Sequence, residues 1–284
     1  MNLKIVFLNT WGGSLYPQDP HHYQAYMARL ATADIIFLSE VHSFHENKPK
    51  FVYPAEPGHR IGPIFVRQYQ WLAGFFDSTH IGHFTPQLRG LHDLEGHDLD
   101  IEYGIAVFVR REHLPQYTYR EGFAYRSFGK FNDGLPSARA IHEVVLSLPE
   151  ATVACTHFHG LWDERGKCDT PERREQADQV IAFMERTKCD EQKPCVRVLG
   201  GDFNLTSTCQ SLEVLRAATV FGKHGGTNLN HQEGTTSTRT RWYNKPGKPQ
   251  EADFVIVSEG TKAELFVDMA APSDHAALVV YLTI

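Results

Sequence analysis

Six short apolar runs in this chain each end on, or start from, a polar side chain that a hydrophobic core would not accept alone. They are Leu8-Asn9-Thr10-Trp11, Phe37-Leu38-Ser39-Glu40, Cys155-Thr156-His157-Phe158-His159, Gly200-Gly201-Asp202-Phe203-Asn204, Asp253-Phe254-Val255-Ile256 and Ser273-Asp274-His275. Apolar runs of this length between turn signals fit buried strands, and α/β folds place their sites where such strands end. Converging strand ends would bring Asn9, Glu40, Asp202, Asn204, Asp253 and Asp274 into one cleft with two histidines. That requirement constrains the chain more than any other feature.

The surrounding pattern predicts strands alternating with a few helices, with no repeat, low-complexity tract or linker, and is read as one domain over 1–284. Residues 3–8 form a buried strand broken by Gly12 and Gly13, and 35–38 form a second that delivers Glu40. Further strands are expected over 103–110, 139–148, 152–157, 196–199, 253–257 and 276–282. Helical spacing covers 22–31, with Tyr23, Met27 and Leu30 on one side, and also 68–76 and 211–218. Asp169-Thr170-Pro171-Glu172 opens another helix, with a capping side chain, Pro in the first turn and acids near the positive dipole end. Two long loops, 42–63 and 223–250, are expected to lie over the site and set its specificity.

Charge and cysteine content narrow the partners. Lys plus Arg number 28 against 34 Asp plus Glu, a formal charge of -6, which argues against a long-range, sequence-blind grip on polyanions. No apolar run approaches the roughly 20 residues of a membrane helix, and the apolar stretch 5–8 is far too short for a signal-peptide core. The expectation is a cytoplasmic protein with no membrane span; the oligomeric state is open. Five cysteines without a C-x-x-C pair are expected to be reduced thiols, with a Cys189–Cys195 bridge or a zinc site as the less favoured alternatives.

The residue types in the cleft have a common chemistry. Carboxylates and amide oxygens are hard ligands that suit Mg²⁺ or Mn²⁺ rather than zinc. So many acids in one place repel one another without a cation. A divalent ion would hold a phosphate oxygen and neutralise the charge that grows on phosphoryl transfer. A histidine backed by an aspartate activates water or protonates a leaving group.

Taken in order from Lys4 to Tyr281, the six segments resemble the endonuclease/exonuclease/phosphatase superfamily. Its members include pancreatic deoxyribonuclease, apurinic endonucleases, deadenylases, neutral sphingomyelinases and inositol-polyphosphate 5-phosphatases. The resemblance implies an α/β four-layer sandwich, two mixed β-sheets face to face with helices outside, and a cleft at one edge. It implies a metal site at Asn9, Glu40 and Asp274, with Mg²⁺ or Mn²⁺ as cofactor. Asp202 and Asn204 match the G-D-x-N pair that binds the nucleophile, phosphate or a second metal. His275 matches the terminal histidine and Asp253 the aspartate that orients it, while His157 matches a general-acid or transition-state histidine. Glu102 resembles the acid that partners this first histidine in deoxyribonucleases, with a plain exposed glutamate as the competing reading. Apurinic endonucleases carry a metal-side aspartate where this chain has Trp11. His157 to Asp163, with Asn9 to Gly13, is similar to a bacterial branch that leaves the substrate open.

The implied activity is water attack on a phosphate ester, foremost a phosphodiester as in nucleic acid; a lipid or inositol phosphate is the alternative. A non-catalytic binding protein would be expected to have lost one of Glu40, Asp202, Asp274 or His275, and all four are present. Arg139 starts a strand where the family often has an arginine, as a phosphate contact or a structural ion pair. Arg239, Arg241, Trp242, Tyr243, Lys245 and Lys248 form a basic-aromatic cluster. It suits base stacking and phosphate contact, or a solvated loop with one packed tryptophan. His159 lies two residues after His157, facing the same way on a strand, and is expected behind the site or at the surface.

Overall fold

Inward and outward side chains alternate along the strands of a computed structural model, which describes residues 1–44, 51–52, 64–89, 101–131, 135–161, 167–234, 237–243 and 251–284. Most of the expected 42–63 loop, together with Trp162, Asp163, Lys245 and Lys248, lies outside the described residues. The strands are β1 (Asn2–Asn9), β2 (Ile35–Ser43), β3 (Phe51–Val52), β4 (Ile64–Phe65), β5 (His80–Arg89), β6 (Glu102–Arg110) and β7 (Tyr117–Phe131). They continue as β8 (Leu135–Ser147), β9 (Thr152–Phe158), β10 (Cys195–Asp202), β11 (Gly226–Asn228), β12 (Asp253–Ser258), β13 (Lys262–Asp268) and β14 (Ala277–Thr283).

Two six-stranded sheets result, in the orders β13-β14-β1-β2-β6-β5 and β11-β12-β10-β9-β8-β7. Both are mixed, with β1 parallel to β2 and β9 parallel to β10 among antiparallel neighbours. Their inner faces meet through Ile5, Phe7, Phe37, Val107 and Val280 on one side and Val144, Val153, Cys155, Val198 and Val255 on the other. The outer face of the first sheet, Val6, Leu8, Ile36 and Leu38, is covered by α1 (Pro20–Leu30) and α2 (Gln68–Phe76). That of the second, Leu199, Phe254 and Ile256, is covered by α3 (Pro171–Glu185) and α4 (Gln210–Ala217). Central strands are therefore apolar on both faces, which is why they read as continuous runs. Each fully buried aliphatic side chain contributes about 1.5–3 kcal/mol.

Within the two large sheets, the strands that the periodicity does not reveal, β5, β7, β11 and β13, are the four edge strands; the two-stranded β3-β4 pair is not expected either. An edge strand meets only one neighbour and carries more polar residues, so its sequence lacks the apolar run. Strand β2 also continues past Glu40 to Ser43, into the stretch expected to be loop. The helix starts behave as their caps demand. Asp19 accepts from the His22 amide at 2.9 Å and Thr170 from the Arg173 amide at 3.2 Å. Asp169 instead serves the next helix, accepting from the Gln210 and Ser211 amides at 2.6 and 2.8 Å.

One expectation is corrected. Cys189 and Cys195 form a disulfide, because the turn between α3 and β10 brings their Cα atoms to 5.8 Å, within the span that a bridge allows. Cys155, Cys168 and Cys209 are outside any disulfide. No helix among the described residues is long and apolar enough to cross a membrane.

Candidate active site

Alternation along β1 carries Leu3, Ile5 and Phe7 inward, so Asn9 also points between the sheets at the strand's end. Its Nδ2 donates to Glu40 Oε1 at 3.1 Å and Asp202 Oδ2 at 3.0 Å, while its Oδ1 accepts from the Trp11 amide at 2.9 Å. The reversed amide would set its oxygen against two carboxylates, so this orientation is chemically dictated. Asn9 thus spaces and aligns two acids from different sheets, and its oxygen is committed to Trp11 rather than turned to a cation. Trp11 itself is buried.

Glu40 reaches the cleft through a β-bulge. Strict alternation would send it outward with Ile36 and Leu38, under the helices. Pairing with β6 instead jumps from Leu38↔Ala106 to Val41↔Gly104, so Ser39 and Glu40 together oppose one residue. Glu40 takes a left-handed φ of 55°, and beyond it His42, not Val41, faces inward against Tyr103 (ring centroids 5.2 Å). Bulges re-aim side chains in this way. Thr10 Oγ1 braces the bulge by donating to the Ser39 and Glu40 carbonyls at 3.1 and 2.9 Å.

Strand β10 ends in a turn that only its glycines permit. A Cβ on Gly200 would stand 2.6 Å from the Phe7 ring. Gly201, at φ +140°, has the Phe158 carbonyl and the His157 ring where a side chain would go. Asp202 follows, buried, with Oδ1 accepting from the Asn204 amide at 2.9 Å. Asn204 (φ 51°) donates its own amide to the Gly160 carbonyl at 3.2 Å. His275 Nε2 lies 3.6 Å and His159 Nε2 3.8 Å from Asp202 Oδ2. Burial pushes the Asp202 pKa up, but His275, His159, Arg239 and Lys167 together hold it well below the usual carboxylate range.

Beside Asp202, His275 Nδ1 bonds both oxygens of Asp253 at 2.9 Å. Thr238 Oγ1 donates to Asp253 Oδ2 at 2.7 Å. Arg239 Nη1 contacts His275 Nε2 and stands 3.3 Å from Asp274 Oδ2. Burial and Arg239 lower the proton affinity of His275, yet Asp253, Asp274 and Asp202 raise its pKa overall. Asp274 is shifted up, chiefly by burial and further by Glu40 and Asp202, against His275 and Arg239.

The remaining candidates separate. His157 is fully buried, bonds Ser39 Oγ at 2.9 Å and packs on Phe37 (centroids 5.3 Å), where burial pushes its pKa down to about 3. His159, not expected in the site, is the imidazole beside Asp202; burial, then Arg139, lowers its pKa to about 4. Its signal lay in the register: His157 pairs with Gly200, so two residues later His159 stands level with Asp202. Glu102 is next to Tyr103, whose ring approaches His159 (6.2 Å), so alternation turns Glu102 to the other face of the sheet. Arg139 is buried within the field of Glu40 and Asp202, and burial lowers its pKa. Arg241 is exposed and lies over the Trp242 ring at 4.8 Å. Arg239, read from sequence as one of a basic-aromatic loop cluster for phosphate contact or solvation, is buried in the site. Lys167, also unforeseen, is half-buried and donates Nζ to the Glu251 carbonyl at 2.7 Å within the field of Asp202, Asp253 and Asp274; burial, then Arg239, brings its pKa to about 8.

The donor set fits a hard divalent cation. Asp274 Oδ1 is buried without a hydrogen-bond partner among the described residues, and the charges of Glu40 and Asp202 add to its load. A buried, unsatisfied carboxylate oxygen is costly, and Mg²⁺ or Mn²⁺ is the kind of ion these oxygens accept.

The chain matches the Endonuclease/Exonuclease/phosphatase family over residues 6–275. Its fold is similar to an endonuclease/exonuclease/phosphatase from Beutenbergia cavernae (TM-score 0.65, 15% identity), covering 100% of this chain and 72% of that one. The human Nocturnin catalytic domain with bound sulfate anion aligns at TM-score 0.62 and 11% identity, over 99% and 94% of the two chains. D. rerio TDP2 complexed with single strand DNA product aligns at 0.58 and 14%, over 100% and 99%. No curated protein matches the sequence.

Proposed function

The chain belongs to the Endonuclease/Exonuclease/phosphatase family, and from that premise we propose that it is a metal-dependent phosphoesterase that cleaves phosphodiesters by water attack. The observation that carries the reading is the meeting of Asn9, His159 and His275 at Asp202 Oδ2, with Glu40 joined to it through Asn9 Nδ2, from separate strand ends of both sheets. Glu40 and Asp274 would hold Mg²⁺ or Mn²⁺, with Asn9 aligning Glu40. When bound, the ion supplies positive charge to a phosphate oxygen.

The protein's own groups do the rest. Asp202, kept ionised by its cationic surroundings, accepts a hydrogen bond from the attacking water and orients it. Asp253 holds the proton on His275 Nδ1, and Nε2 takes the water's proton as the water oxygen bonds to phosphorus and the phosphorus–ester oxygen bond breaks, the departing alkoxide taking a proton from bulk water. His159, a neutral imidazole, faces the charge that develops on phosphorus oxygens, the role the sequence assigned to His157. Asn204 fixes the Asp202 carboxylate through its amide, and Arg139 adds a buried positive charge toward the substrate phosphate. Arg241, exposed, over the half-buried Trp242 forms a cation–aromatic pair suited to a nucleic-acid strand.

The test is a panel of bis-p-nitrophenyl phosphate, single-stranded DNA, a dinucleotide, sphingomyelin and an inositol phosphate, with Mg²⁺ or Mn²⁺ and chelator controls. Hydrolysis of a diester that stops with chelator, and in Glu40→Gln and His275→Asn, is expected. Turnover insensitive to chelator, or none on any phosphate ester, overturns the reading.

A further inference from the structure

Arg239 is held more rigidly than a surface-loop arginine needs to be. Its backbone bridges to His275, with the Ala276 amide donating to the Thr238 carbonyl at 2.9 Å and the Thr240 amide to the Asp274 carbonyl at 3.1 Å. Thr238 Oγ1 is tied to Asp253 at 2.7 Å, and Thr240 Oγ1 to the Ser273 carbonyl. Flanked by these two anchored threonines, the arginine side chain is directed into the acids. Its Nη1 stands against Asp274 and His275, its guanidinium lies over the Tyr243 ring at 4.6 Å, and its Nε is buried without a partner among the described residues.

The same volume contains Asp202, Asp253 and His275, whose donor atoms lie within 4.8 Å of one another, as metal ligands would. Yet in the free site both nitrogens of His275 are engaged, Nδ1 by Asp253 and Nε2 by Arg239, so neither offers a lone pair to an ion, and Nε2 is released to the attacking water only when Arg239 turns to the substrate phosphate. We propose that Arg239 is the site's resident second cation: it occupies the place a second divalent ion would take, limits the protein to one metal per chain, and binds a non-bridging oxygen of the substrate phosphate. This deepens the phosphoesterase reading and rests on it. A planar guanidinium suits the task, since it is always charged and presents several donors in a fixed fork.

The test counts Mn²⁺ by equilibrium dialysis and measures inorganic phosphate affinity by calorimetry on the full chain, without turnover. Wild type is expected to bind one Mn²⁺ per chain. Arg239→Ala, with an unchanged circular dichroism spectrum, is expected to gain a second Mn²⁺ and lose about 10- to 100-fold in phosphate affinity, the worth of a hydrogen bond to a charged group. Arg239→Lys should keep the single Mn²⁺ but bind phosphate more weakly than wild type, and it decides the matter if the alanine variant does not fold. Added guanidinium ion should restore phosphate binding to Arg239→Ala. Two Mn²⁺ on the wild type, or unaltered phosphate affinity in the folded variants, overturns the proposal while metal-dependent hydrolysis still stands. Wild type that binds no Mn²⁺ and cleaves no phosphate ester overturns both.

Discussion

The space between the two sheets has a dry end and a charged end, built by the same strands. At the dry end Leu3, Ile35, Val109, Leu146, Leu148, Val153 and Leu282 are essentially inaccessible to water. At the other, the next inward positions of the same or neighbouring strands are Asn9, His157, His159, Asp202 and Asp253. The border is marked by rings, with Phe7 stacked on Phe37 at 5.1 Å and His157 tilted against both. One alternation therefore delivers two opposite environments, and only the last inward residue of each strand decides which. Apolar residues stabilise the sandwich, whereas burial of Asp274 costs solvation that His275 and Arg239 only partly offset. Substitutions at the two ends should act oppositely.

The largest contrast is expected at Asp274. Asp274→Ala should lower kcat on a diester by about a thousandfold or more with a melting temperature equal to or above wild type, since burial raises its folded pKa; a variant that melts early instead would place Asp274 in the stabilising set. Leu146→Ala, at the dry end, should cost about 2–5 kcal/mol in urea unfolding while the folded enzyme keeps kcat within about threefold, since no charged group of the site touches it. Comparable kcat losses in both variants would erase the distinction between the ends.

Acid offers a third comparison. His157 has an unfolded pKa near 6.5 and a folded one of about 3, so the unfolded chain binds its proton first. Its contribution is complete above pH 6.5 and falls by about 1.4 kcal/mol per pH unit as pH drops toward 3. His142, a cross-strand neighbour also buried and held well below 6.5 by burial, then by His157 and His83, acts in the same direction. His157→Asn should flatten the stability curve below pH 6.5, measured by urea titration at stepped pH; an unaltered slope contradicts the assignment. The smallest effect is expected at the rim. Trp242→Ala should raise KM for single-stranded DNA about fivefold, the lower end of what one lost stacking contact is worth, and leave bis-p-nitrophenyl phosphate unaffected. Equal changes on both substrates would remove Trp242 from nucleic-acid contact.

Much of this was legible in the amino-acid sequence for a physical reason: a strand buried on both faces must be apolar throughout, so β1, β2, β9, β10, β12 and β14 announce themselves, and the acids at their ends stand out. The edge strands β5, β7, β11 and β13 do not, because one exposed side relaxes that demand. The family, the sandwich and the set of Asn9, Glu40, Asp202, Asp253, Asp274 and His275 could be read in one dimension. Three things could not. The bulge that turns Glu40 inward depends on pairing with β6. His159 stands beside Asp202 rather than behind it because of the register between β9 and β10. Arg239 is buried because its segment bridges to His275. Each is a relation between segments far apart in the chain, and hydrogen-bond register and charge proximity across such distances exist only once the strands have packed.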